Sequence, residues 1–236
     1  MLVQKRHLYP SCILLISSFD NSKPEDELIK LLFDAKCDDL QKTLSKSNKE
    51  RRFFHLCKYA LHSRKCNLST VLFIQNKFNF KSCKILCRII ASNTYIAYLN
   101  LSNNEINDEG LSYLCSGLKV NSTLVSIDLS SNQILENGAK NLFHTLLYHP
   151  SITSIDLSNK IHNFKNIIGN NGCIELKRLL KENYIFSIIN LAENEIGGQG
   201  LGYICEGLRF NKGLISLDLS RNNLPLNAIY YLRIHK

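Results

Sequence analysis

Small polar residues recur in this chain at fixed intervals. Asn100, Asp128, Asp156, Asn190 and Asp218 follow Leu72 in steps of 28, 28, 28, 34 and 28 residues. Two residues further on, in the same rhythm, come Ile74, Ser102, Ser130, Ser158, Ala192 and Ser220. Carboxylates, amides and hydroxyls at such spacing can accept and donate hydrogen bonds and attract cations, so on one face they would form a stripe for holding a partner. They would equally be the default residues of a repeated D-L-S or N-L-S phrase. Tyr98, Ile188, Glu193 and Arg221 depart from that default. An exposed aromatic, an exposed apolar side chain and an arginine are common interface anchors.

Bond-making chemistry finds less support. The sequence has no phosphate-binding glycine loop, no metal quartet and no nucleophile motif. Its seven histidines, His7, His55, His62, His144, His149, His162 and His235, are scattered. Among the nine cysteines, Cys87, Cys115 and Cys205 share one repeat position, and Cys83 and Cys173 share another. That register reads as small core residues rather than a disulfide framework. Cys83 and Cys87, four apart, could form half of a metal site but lack partners at a suitable spacing. No catalytic residue, metal or cofactor is assigned. A reduced, cytoplasmic compartment is expected, with secretion the alternative.

The elements that must carry the polar stripe are visible in the apolar residues around it. Val71, Leu99, Ile127, Ile155, Ile189 and Leu217 precede Phe73, Leu101, Leu129, Leu157, Leu191 and Leu219 by two residues. That alternation predicts short strands with one buried face. Leu86, Leu114, Leu142, Leu176 and Ile204 are followed four residues on by Ile90, Leu118, Leu146, Leu180 and Leu208, a helix face. Between strand and helix lies one asparagine per unit: Asn76, Asn104, Asn132, Asn166, Asn194 and Asn222. A buried amide there can satisfy backbone groups on both sides of a bend. Gly110, Gly138, Gly172 and Gly200 open each helix, where a turn or close backbone approach needs no side chain.

The phrases LNLSNNEINDEG and LDLSRNNL resemble the ribonuclease-inhibitor-like class of leucine-rich repeats. The resemblance runs from Leu68 to about Leu232, or 165 of the 236 residues. It implies an α/β, right-handed solenoid with parallel strands on the concave face and helices outside, stabilised by contacts between neighbouring units. Six strands are expected, in units starting at 68, 96, 124, 152, 186 and 214, the last incomplete. Residues 1–67 are expected to be a helical cap or decayed repeat, with capping boxes at Ser22–Glu25 and Ser47–Glu50. The run CILLI is expected to be a buried strand. The final helix, NAIYYLRIHK, ends before the return, so an apolar edge is expected, covered by more chain, by a dimer contact or by a self-capping short helix using Tyr230 and Tyr231.

Between Asn159 and Asn166 the rhythm gains six residues, KIHNFK. Insertions in repeat arrays map to one rim, so Lys160, His162, Phe164 and Lys165 are expected to project there, with Phe164 exposed to solvent. Lysine and arginine outnumber acids 29 to 20, an excess of nine spread over both parts of the chain. This modestly favours acidic partners without making a nucleic-acid footprint. The basic runs Lys77, Lys81, Lys84, Arg88 and Lys42, Lys46, Lys49, Arg51, Arg52 read chiefly as solvated faces. No membrane span is evident. The expected role is a non-catalytic protein-binding module using the concave face and adjacent rim, for a partner the sequence does not name. The alternative is a regulatory module of a small-GTPase activator or immune-type receptor. No residues carry over from those groups.

Overall fold

The computed structural model describes residues 12–17, 68–75, 77–160 and 164–228. They form seven strands in one parallel sheet whose spatial order is the chain order. Strand β1 (Cys12–Ser17) is followed by β2 (Leu68–Ile74), helix α1 (Phe80–Ser92), β3 (Tyr98–Asn100), α2 (Asp108–Leu118) and β4 (Ser126–Asp128). Helix α3 (Glu136–Leu147), β5 (Ser154–Asp156), α4 (Gly169–Glu182), β6 (Ile188–Asn190), α5 (Gly198–Leu208) and β7 (Ser216–Asp218) complete the series. All six expected strands are present as β2 to β7. The seventh comes from the CILLI run, which pairs in parallel with β2. The cap assigned to the rest of residues 1–67, the asparagine Asn76 and the helix beyond Ala228 lie outside the described residues.

Each strand is only three residues long from β3 onward, and every residue faces its counterpart in the next unit. Tyr98 pairs with Ser126, Ser126 with Ser154, Ser154 with Ile188 and Ile188 with Ser216. A strand that exposes alternate residues must bury the others. The central residues Leu99, Ile127, Ile155 and Ile189 are accordingly buried, as are Leu101, Leu129, Leu157 and Leu191 just beyond the strands. Helices α1 to α5 present Leu86, Leu114, Leu142, Leu176 and Ile204 to the same core. No unit closes on itself, so the core is continuous from Val71 to Ile204.

Tight spacing between successive helices explains the repeated glycine. A Cβ at Gly110 would lie 3.2 Å from the Cys83 sulfur and 3.3 Å from the Phe80 Cα. At Gly200 it would lie 2.8 Å from both the Asn170 Oδ1 and the Ile196 Cγ2. Close approach, rather than a left-handed turn, is the requirement at both positions. Caps also cross between units. Asn170 Oδ1, on α4, accepts the N–H groups of Gly197 and Gly200 at 2.8 and 2.9 Å and so caps α5. Asp108 Oδ1, on α2, accepts the Leu135 N–H at 2.7 Å, just before α3.

Candidate functional site: the concave face and its insert

The frame of the site is the column of amides behind the strands. Asn104, Asn132, Asn166 and Asn194 are fully buried. Each reaches backward with its Nδ2 to a carbonyl of the preceding unit: Phe73, Leu101, Leu129 and Leu157, at 2.8 to 3.0 Å. Their Oδ1 atoms accept backbone N–H groups, as Asn166 does from Asn132 and Ile134 at 3.0 and 2.9 Å. Asn222 repeats the pattern, accepting from Asn194 and Ile196 and donating to Leu191. One side chain thus satisfies backbone groups of two units, and loss of one would orphan several buried groups at once.

In front of that column, the fifth residue of each unit, counted from its start at 96, 124, 152, 186 and 214, ends the strand. Oδ1 of Asn100, Asp128, Asp156, Asn190 and Asp218 each accepts the N–H two residues later, at 2.8 to 3.1 Å. This Asx turn is how a short polar side chain ends a strand. It also corrects the expected stripe. Ser102, Ser130 and Ser158 are folded into the turn and buried, so they do not line an accessible face. The accessible concave surface consists instead of the position-five groups and of Tyr98, Ser126, Ser154 and Ile188. Tyr98 is 51% exposed and Ile188 47%, large side chains on a sheet face otherwise carpeted with small polar ones.

The insert departs at Lys160 from its expected place on the rim. Its base is closed by a reciprocal pair: Asn166 N–H donates to Asn159 Oδ1 at 2.7 Å, and Asn159 Nδ2 donates to the Asn166 carbonyl at 2.8 Å. Lys160 turns back over the sheet. Its N–H donates to the Ser131 hydroxyl at 2.9 Å, and its Nζ lies 3.0 Å from Asp128 Oδ2 and 2.8 Å from Asp156 Oδ2. Asn100 Nδ2 donates to the same Asp128 oxygen at 3.1 Å. Partial burial alone would lower the Lys160 pKa; the hydrogen bond to Asp156 and the charges of both aspartates outweigh it and raise the pKa. Phe164 is half-buried rather than solvent-exposed, Lys165 is exposed, and His162 lies outside the described residues. Glu193 and Arg221 sit on the turns after β6 and β7, not on the sheet face. They pair with each other at 2.6 Å, so neither is an unengaged anchor.

A family model described as Leucine Rich repeat matches residues 92–115 and 120–143, the two units whose frame is clearest. Those two units are leucine-rich repeats, and β2 to β7 share their frame. Among curated relatives, protein phosphatase 1 regulatory subunit 37 of Danio rerio is 46% identical over 59 residues. That match covers 25% of this chain and 6% of the relative, so the chain spans a small fraction of the relative's length. Among solved structures, the tropomodulin C-terminal domain of Caenorhabditis elegans superposes with a TM-score of 0.50 at 15% identity. It covers 77% of this chain and 90% of that one. Leiomodin-1 actin-binding site 2 gives 0.49 at 21% identity, covering 61% and 79%. The superposition on the tropomodulin domain bears on the fold alone.

Elsewhere among the described residues the array offers no competing metal centre. Among the described residues no three His, Cys, Asp or Glu side chains converge in a way that could hold a metal. None of the helices described is long and apolar enough to cross a membrane. Burial pushes the thiols of Cys83 and Cys173 up to about 12 and that of Cys115 to about 11, which fits core packing rather than reactivity. The sequence reading missed the apolar exposure at the N-terminal end of the strands, where Tyr95, Tyr184, Ile185 and Ile215 are accessible. A signal existed for Ile215. Its position holds Ala97, Val125, Thr153 and Ser187 in other units, and a large apolar residue breaks that run of smaller ones.

Proposed function

We propose that this chain is a non-catalytic interaction module that docks a protein partner on its concave sheet face and the adjoining rim of the insert. The observation that carries this reading is the pair Tyr98 and Ile188, exposed three strands apart on a rigid sheet, with the carboxylates of Asp128 and Asp156 between them. At about 4.8 Å per strand they stand roughly 14 Å apart, enough to straddle an extended segment. Apolar anchors around a polar centre are the composition of an interface core. Asn190, Asp218 and the insert residues Lys160, Phe164 and Lys165 would form its margin. The buried, unpaired thiols fit a reducing, cytoplasmic setting. The test is capture of partners from the source cell on the purified chain. Tyr98→Ala and Ile188→Ala should lose what the parent retains while leaving thermal stability unchanged. Retention by both variants overturns the reading. Phe164→Ala reports separately whether the rim takes part.

A regulatory role is the second reading, favoured by the relative named as a subunit regulating protein phosphatase 1. The matched segment is about two units long, so the likeness bears on the repeat before it bears on any partner. Co-precipitation of the phosphatase 1 catalytic subunit with the chain would support it, and its absence from the captured proteins would remove it.

A further inference from the structure

We propose that Lys160 is an intramolecular occupant of the concave docking face, and that the partner it holds off presents a lysine or arginine between apolar side chains. This rests on the concave-face reading and adds the chemistry of what binds there. Three features combine. First, Asp128 and Asp156 occupy facing positions on adjacent strands, and each commits Oδ1 to its own turn. The turn fixes the rotamer and turns both Oδ2 atoms to the same side, where that of Asp128 also accepts from Asn100 Nδ2 at 3.1 Å. Second, one ammonium already sits across both oxygens, at 3.0 and 2.8 Å. The cradle is therefore of a size to share one cation between two carboxylates. Third, that ammonium belongs to the six-residue insert, which no other described unit contains, whereas the carboxylates belong to the repeat. The cradle can exist without its occupant.

Charge complementarity selects the partner. The chain as a whole carries nine excess positive charges, yet its exposed sheet face carries Asp128, Asp156 and Asp218. A basic segment is attracted to that face and repelled elsewhere, which gives register as well as affinity. Tyr98 and Ile188 flank the cradle and would take apolar residues on either side of the basic one. The Lys160 side chain is 47% exposed, so its ion pairs are solvent-screened and replaceable. A partner that brings its own cation and apolar contacts recovers what it displaces.

The probe is a fluorescein-labelled peptide of alternating leucine and arginine, read by fluorescence anisotropy, with the glutamate-for-arginine peptide as blank. Lys160→Ser should bind it about fivefold more tightly than the parent, the effect of removing one internal competitor worth a partly exposed charge pair. Lys165→Ser makes the same change in net charge outside the cradle and should give no gain. Adding Asp128→Asn and Asp156→Asn to Lys160→Ser should abolish the gain while the amides keep the turn bonds. Equal affinity for Lys160→Ser and parent, or an equal gain from Lys165→Ser, overturns the proposal. If that happens while Tyr98→Ala still loses the captured partner, the surface stands and only the internal occupant falls. If Tyr98→Ala and Ile188→Ala keep the captured partner, the surface reading itself falls.

Discussion

Replacing His149 with asparagine should stabilise the protein, and more so in acid. A second column of polar side chains runs along the helix ends, at Asn93, Asn121, His149, Asn183 and Asn211. In its asparagine units Oδ1 accepts two backbone N–H groups, as Asn121 does from Thr123 and Leu124 at 3.0 and 2.8 Å. Nδ2 donates backward where described, from Asn121 to the Ile90 and Asn93 carbonyls at 2.9 and 3.1 Å, and from Asn211 to Leu180 at 2.7 Å. His149 manages only half of this. Its Nδ1 accepts from Ser151 and Ile152 at 3.3 and 3.2 Å, while its buried Nε2 meets no partner. The matching acceptors one unit back are the Leu118 and Asn121 carbonyls. An unsatisfied buried donor costs about 1–3 kcal/mol. Allowing for lost ring packing, His149→Asn should gain about 1 kcal/mol at neutral pH, or roughly 2–4 °C in Tm.

The pH dependence of that gain has a definite sign. Burial lowers the His149 pKa below its ordinary value. Above about pH 6.5 the residue is neutral folded or unfolded and contributes no slope. As pH falls below that, the unfolded chain takes up the proton first, so the native state loses stability until the folded pKa is reached. Protonation would also put a second N–H against the two donors at Ser151 and Ile152. Urea denaturation of both proteins at pH 7.5 and pH 5.5 measures this, since the other histidines cancel in the difference. The His149→Asn advantage should widen in acid. An advantage that is absent at pH 7.5, or identical at both pH values, would refute the reasoning.

Three further outcomes are expected. Asn132→Ala takes from the Ile106 N–H its amide acceptor and from the Leu101 carbonyl one of its two amide donors, and should cost about 1–3 kcal/mol in urea denaturation. Leu129→Ala, at a fully buried position, should cost roughly 2–5 kcal/mol in the same assay. A thiol reagent at pH 8 should modify half-buried Cys87 before Cys83, Cys115 and Cys173, as followed by peptide mass, because burial denies those three both access and the thiolate form.

The parts of the fold legible in the sequence are those that repeat. Leu99, Ile127, Ile155 and Ile189 recur under one physical demand, so periodicity identified the strands, the amide column and the helix faces together. The sheet-facing residues Tyr98 and Ile188 were legible for the same reason. Lys160 was not. An insert has no counterpart elsewhere in the chain, and nothing in KIHNFK says that its first side chain folds back over two aspartates 4 and 32 residues away. Ser130 was misplaced because strand alternation was carried two residues too far. The Asp128 turn ends the strand at position five and rolls the serine inward. Phe164 differs for another reason: a loop residue is expected to face solvent, and the structure half-buries it.

The double duty of the aspartates makes one substitution pair decisive. Asp156 Oδ1 accepts from the Ser158 N–H at 2.9 Å and the Ser158 hydroxyl at 2.6 Å, while Oδ2 faces Lys160 at 2.8 Å. Asparagine already fills this position natively in two other units, at Asn100 and Asn190, with the turn bond intact. Asp156→Asn should therefore keep the cap and remove only the charge, leaving stability within about 0.5 kcal/mol, the range of a partly exposed ion pair. Asp156→Ala removes both functions and should cost about 1 kcal/mol more, the worth of one local side-chain to backbone hydrogen bond. Equal melting temperatures for the two variants would mean that the cap contributes nothing. The aspartates would then be held on this face by Lys160 alone, and the cradle could not outlast the removal of its occupant.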